Sequence, residues 1–149
     1  MTKTNIKLAA TCFCVGYIPW ASGTFGSFLG LAVYLCIKDY IFLYSLVLIF
    51  SLIIGFLVCK EAEDIFGCKD SPKIVVDEFN GILITFFLVP FSAAAAVSGF
   101  LLFRLLDIFK PYPARALEKV GEGRGVMLDD IVCGIYANII LQIVFRFML

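Results

Sequence analysis

Residues 79–103, FNGILITFFLVPFSAAAAVSGFLLF, decide the fold. The run is 25 residues long, enough for one bilayer crossing as a helix. Pro90, however, stands near its middle and is followed by FSAAAAVSG. Proline removes a backbone donor and disfavours helix at the residue before it. The run is therefore either one kinked helix or two short arms turning near Pro90 to Ser92. A straight crossing would put a membrane between the two most acidic loops, Cys59 to Glu78 and Arg104 to Asp130, whereas a hairpin keeps them on one side. The hairpin is the preferred reading. Its arms of 11 to 13 residues reach only part-way through the hydrocarbon, which is tolerable if they pack against longer helices.

The rest of the chain supports the same architecture. Further apolar stretches run from Phe25 to Ile37, Ile41 to Val58 and Ile131 to Leu149. Ile41 to Val58 has 18 residues, about 27 Å as a helix, and is the best candidate for a complete span. With both Phe25 to Val58 and Phe79 to Phe103 as hairpins, only Lys38 and Arg146 of the twelve Lys and Arg residues fall opposite the charged loops. The positive-inside rule makes the loop side cytoplasmic. The expected fold is all-α, a membrane-embedded bundle of short and long apolar helices with its polar loops gathered on one face, in a single domain over residues 1–149.

Composition agrees. The chain is 62% hydrophobic with twelve acids and twelve bases and a mean hydropathy of +1.01, whereas about a quarter of residues are charged in soluble domains. A net charge of zero argues against nucleic acid as partner. Lys3 and Lys7 precede LAATCFCVGYIPWA without a convincing cleavage site, so the apolar segments are expected to stay in the product. The six cysteines form no CxxC pair and read as reduced, buried thiols. The absence of histidine excludes His-based metal sites and Ser-His or Cys-His couples. Acids, hydroxyls and cations must carry any chemistry.

Four constellations could do so. Gly23-Thr-Phe-Gly-Ser27 opens the first apolar helix; Thr24 or Ser27 can cap it, and free N–H groups at a helix start favour an anion. Asp77 and Glu78 begin another apolar segment, with Asn80 and Gly81 just beyond. Helix-dipole capping explains one acid, while two suit a hard cation such as Mg²⁺. Arg104, Asp107 and Lys110 recur every third residue toward a helix end that Pro111 terminates. They read either as an ion ladder or as cations gripping phosphate around a metal-binding acid. Asp129-Asp130 is a second acid pair before an apolar segment, and either could be an N-cap. Helix starts carrying these two pairs, with Asp107, can form a carboxylate cluster that a divalent cation would hold together. Glu118, Lys119 and Glu122 read as solvated loop charge.

In that order GTFGS, DSPKIVVDEFNG, FRLLDIFKPYP and GRGVMLDD resemble the signatures of the phosphatidylglycerophosphatase A family, over roughly Pro19 to Gly134. The resemblance implies a bacterial inner-membrane enzyme that removes the terminal phosphate of phosphatidylglycerophosphate, with Mg²⁺, at the cytoplasmic face, giving phosphatidylglycerol. It maps Asp77, Glu78, Asp107, Asp129 and Asp130 onto the family's acidic positions and Lys110 onto the lysine of its KPxP motif. Ser22 stands where the family usually has proline, and Glu122 where a second glycine is common. Arg104 and Arg115, with the Gly23, Thr24 and Ser27 turn, are the expected phosphate-binding companions of Lys110.

Other phosphatase chemistries lack their residues. No cysteine is followed six positions later by arginine, there is no histidine, and no Asp-x-Asp occurs. Metal-dependent hydrolysis remains, with a carboxylate serving as base or as nucleophile. Two rivals stand beside it: a phosphatase for another phosphomonoester, and a small membrane transporter or assembly subunit, which would need acids inside its spans.

Overall fold

A computed structural model describes residues 1–121 and 123–148, with side chains up to residue 146. Glu122, the second departure from the family pattern, lies outside the described residues. The described residues form seven α-helices: α1 Lys3–Ala10, α2 Ser22–Ile37, α3 Ile41–Phe66, α4 Val76–Phe86, α5 Ala93–Phe109, α6 Ala114–Leu117 and α7 Arg124–Gln142. A 3₁₀ turn, Val15–Tyr17, precedes α2, and a π-helical segment, Ile143–Met148, prolongs α7. No strand occurs among the described residues.

The stretch around Pro90 is a hairpin. Helix α4 stops at Phe86, Leu88 takes a positive φ, and Ser92 restarts the helix by accepting the N–H of Ala95 at 2.9 Å. The arms are antiparallel: Gly81 faces the Phe103 ring, and Gly99 faces Phe86.

Glycine contacts set the other directions. A Cβ on Gly30 would meet Phe79 O at 2.9 Å, one on Gly134 would meet Gly81 O at 2.6 Å, and Tyr34 stacks on Phe86 at 4.6 Å. Helices α2, α4 and α7 therefore run parallel. Helix α3 opposes them, with Ser51 bonded to Asn80 and Gly55 against Met127. The starts of α2, α4 and α7 and the ends of α3 and α5 consequently lie at one end of the bundle.

Helix α4 is the axis of this arrangement, with eight of its eleven residues buried. Asn80 ties it to α3: its Oδ1 accepts from Ser51 Oγ at 2.6 Å, and its Nδ2 donates to Val76 O at 2.7 Å. Tyr44 Oη donates to Leu83 O at 2.5 Å. Asn138 of α7 reaches the last carbonyls of α4, those of Ile84, Thr85 and Phe87, at 3.1, 3.0 and 2.8 Å. Ile84 O also accepts the N–H of the C-cap Phe87 at 3.2 Å, and the bonds from Asn138 supply donors where the partners of a helix end run out.

Helix boundaries depart from the sequence reading in three places. Helix α3 continues eight residues beyond Val58, so Lys60, Glu61, Glu63 and Asp64 ride on helix rather than loop. Helix α7 begins at Arg124, with Gly123 at φ 69° as its N-cap, which makes Asp129 and Asp130 interior residues instead of caps. Helix α2 begins at Ser22 without a side-chain cap. Ser27 Oγ donates to Gly23 O at 2.9 Å, and Ser22 Oγ donates to Pro72 O at 2.6 Å, a bond that proline could not make. All six cysteines are free, but only Cys12, Cys59 and Cys133 are buried.

Among the described residues, two helices are long and apolar enough to cross a membrane: α3, and Arg124–Arg146 formed by α7 with part of its π-helical extension. Only 22% of the most apolar window of α3 is buried, and Phe42, Phe50 and Leu57 point outward. Replacing Gly134 by alanine is expected to force α7 off the Gly81 carbonyl and cost about 1–3 kcal/mol. Gly121→Ala, which meets nothing within 4 Å, should stay within about 0.5 kcal/mol. Unfolding midpoints in detergent compare the two, and equal midpoints would refute the close-contact account.

Candidate metal and phosphate site

Three carboxylates meet where α4 and α7 begin. Asp77 and Glu78 occupy the first turn of α4, and Asp130 the second turn of α7. One oxygen from each lies within 4.8 Å of the others. The Gly81–Gly134 approach allows this, since any side chain there would hold the helices apart. Asp77 Oδ1, Glu78 Oε2 and Asp130 Oδ2 are buried without a hydrogen-bond partner. Burial, and then the charges of Glu78 and Asp130, push the Asp77 carboxyl well above its ordinary value. Burial also raises Glu78, although a hydrogen bond from Asp77 opposes it; Asp107 raises it further, and Arg104 opposes that. Orphaned, repelling, water-poor carboxylate oxygens of this kind suit a hard divalent cation.

Asp107 and Arg104 close one side. Arg104 Nη1 holds Asp107 Oδ2 at 2.6 Å and reaches Ser27 Oγ at 3.4 Å. Asp107 lies within hydrogen-bond reach of Asp130. Gly23 sits against the Glu78 carboxylate, and its absent Cβ would stand 3.4 Å from Arg104 Nη1. The glycine therefore leaves room beside an acid and a cation, while half-buried Thr24 stands next to it on α2.

Asp129 is placed apart from the three-carboxylate group. Successive helical residues point about 100° apart, and Asp129 turns to Lys110, its Oδ2 lying 2.5 Å from Nζ. Glu118 holds the same ammonium at 3.3 Å, so it is not merely solvated charge. Lys110 is the left-handed C-cap of α5 immediately before Pro111, which swings it out of the Arg104–Asp107 row. Burial lowers the Lys110 pKa, but the bond and charge of Asp129, then Glu118, outweigh it and hold the ammonium above the ordinary lysine value. Arg115 and Lys119 line a shallow surface depression with Lys110.

Asn80 belongs to the core and offers no free oxygen, because Ser51 occupies its Oδ1. Asp70, at the head of the DSPKIVVDEFNG run, is a neighbour outside the expected ligand set. It lies close enough to Lys110 and Asp129 for their charges to act on one another, brought there by the turn after α3.

Similarity to known proteins extends over most of the chain. The family model described as Phosphatidylglycerophosphatase A matches residues 8–145. Phosphatidylglycerophosphatase A of Escherichia coli (strain K12) is 36% identical over 153 residues, covering 97% of this chain and 89% of that protein. The Haemophilus influenzae protein of the same name is 37% identical over 142 residues, covering 91% and 86%. A Bacteroides thetaiotaomicron protein, provisionally named phosphatidylinositol-3-phosphatase, is 32% identical over 146 residues, covering 91% of each. No solved structure matches significantly. A match that spans both ends of the carboxylate site, from α1 to the π-helical extension of α7, places the chain in the phosphatidylglycerophosphatase A family.

Proposed function

We propose that this chain is a Mg²⁺-dependent lipid phosphatase that hydrolyses the terminal phosphate of phosphatidylglycerophosphate to give phosphatidylglycerol. The observation that carries the reading is the convergence of three carboxylates, each with one buried oxygen that lacks a hydrogen-bond partner, beside Arg104 and Lys110. The names of the Escherichia coli and Haemophilus influenzae relatives support the substrate. The outward apolar faces of α3 support a bacterial inner-membrane location, and the excess of Lys and Arg at the site end supports a cytoplasmic orientation.

Asp77, Glu78 and Asp130 would hold the ion, with Asp107 at its edge. When bound, Mg²⁺ supplies Lewis acidity toward a phosphoryl oxygen and an attacking water. Arg104, fixed by Asp107, orients one edge of the phosphate. Lys110, seated on Asp129 and Glu118, neutralises the oxygens on the other as charge develops. Arg115 adds positive potential at the entrance, and the Gly23 to Ser27 backbone borders the group. A transporter reading is weaker: the acids cluster at one end of the bundle, and Asp129 and Asp130 stand within two turns of the start of the candidate span.

Phosphate release from phosphatidylglycerophosphate in detergent tests the reaction: EDTA is expected to abolish it and Mg²⁺ to restore it. Full turnover in EDTA would end the metal mechanism, and turnover only with a different phosphomonoester would reassign the substrate.

The two neighbouring aspartates should separate kinetically. Asp130→Asn is expected to lower kcat more than about 100-fold and raise the Mg²⁺ requirement. Asp129→Asn should lower kcat about 10–100-fold, as does loss of a supporting group, with the Mg²⁺ requirement unchanged. A raised Mg²⁺ requirement in Asp129→Asn would return that residue to the metal set.

Without metal, a carboxyl whose folded pKa is raised destabilises the fold above its unfolded pKa, and that cost grows as pH rises toward the folded pKa. In EDTA, Asp77→Asn is therefore expected to raise the unfolding midpoint at pH 7 and to lose that advantage as pH falls toward 4. A lower midpoint for Asp77→Asn in EDTA at pH 7 would count against a strained carboxylate cluster.

A further inference from the structure

The opposite end of the bundle holds a cavity of about 510 Å³ with a mixed polar and apolar lining, walled by the end of α2, the start of α3, the α4–α5 turn and the π-helical extension of α7. Its size falls within the range of ligand pockets, roughly 300–1,000 Å³. Lys38 and Arg146 both line it. They are the two cations that the sequence sets apart from the other ten, and four separate elements bring them to one hollow. The charge there is only partly offset: Lys38 Nζ meets the 74% exposed Asp39 at 2.7 Å, while Arg146 meets the neutral Gln142 at 3.3 Å. Lys38 also lies over the Phe91 ring, 4.5 Å from its centroid. Exposed Ile41, Leu88 and Phe91 form an apolar border.

We propose that this cavity binds the headgroup of an anionic phospholipid of the leaflet opposite the carboxylate site. The phosphodiester would sit between the Lys38 ammonium and the Arg146 guanidinium, and the acyl chains would descend along Ile41 and Phe91. The charge chemistry is that of the basic pockets between membrane helices that bind anionic headgroups at the cytoplasmic side, here placed at the other leaflet, and a cation already resting on an aromatic face is held ready for a phosphate oxygen. The site is independent of the hydrolytic reaction.

The test uses the full chain in a neutral detergent, with phosphatidylglycerol, phosphatidylcholine of identical acyl chains, and inorganic phosphate added separately. Lipid retention is read by native mass spectrometry, and stability by the unfolding midpoint. Phosphatidylglycerol is expected to bind about tenfold more tightly than phosphatidylcholine, the order that one or two basic side chains confer at a headgroup. The preference should persist in Asp130→Asn, which separates it from product binding at the carboxylates, and in Lys38→Arg/Arg146→Lys, but not in Lys38→Gln/Arg146→Gln. Equal retention of the two lipids by the wild-type chain overturns the proposal whether or not the variants fold. A midpoint shift reproduced by inorganic phosphate alone also overturns it, assigning a free-anion site instead.

Discussion

Mutual repulsion among Asp77, Glu78 and Asp130 is the interaction on which the rest of the structure turns. Three carboxylates within 4.8 Å of one another, with buried orphaned oxygens, oppose folding unless something compensates, and isolated buried charge is among the most costly features a protein can carry. The bundle holds them by apolar packing around α4, with Phe86, Phe103, Ile82 and Leu83 fully enclosed, and by glycines that let α7 close onto it. Stability elsewhere is committed to keeping an unfavourable electrostatic arrangement in place, which is the usual relation between a scaffold and a reactive site.

Charge is divided around that cluster by local backbone geometry. Arg104 and Asp107, one turn apart on α5, face inward together. Lys110, three residues later, would continue the row on an uninterrupted helix. Pro111 ends the helix first, and the left-handed Lys110 sends its side chain to α7. One proline therefore decides that the two cations flank the carboxylates from different sides. The opposite end of the molecule repeats the theme with fewer charges, where Lys38 and Arg146 line one cavity walled by four elements.

Much of this was legible in the sequence, and the parts that were not share a cause. Pro90 announced the hairpin, because a missing N–H and a clash with the preceding turn are local effects. Asp77 and Glu78 were readable as a pair because a helix start beside an apolar run is also local. The split between Asp129 and Asp130 was hidden, since it depends on where α7 begins. Gly123 places that start five residues before Asp129, and within a helix neighbouring side chains diverge. The tail of α3 was missed because Lys60, Glu61, Glu63 and Asp64 look like loop by polarity although most are good helix formers. The role of Asn80 in the core and the involvement of Asp70 and Glu118 with Lys110 depend on tertiary approach, for which spacing along the chain carries no signal.

The bonds from Asn138 to the end of α4 have one more consequence. Asp130 and Asn138 are eight residues apart on α7, and Asp77 and Thr85 are eight apart on α4, about 12 Å in each helix. The parallel helices thus carry matched rulers, with carboxylates brought together at one end and amide-to-carbonyl bonds fastening the other. Sliding α4 by a single turn would misalign both ends at once, so the depth of the short helix is gauged against the long one. The spacing of the carboxylates is inherited from a length measured at the far end of the bundle.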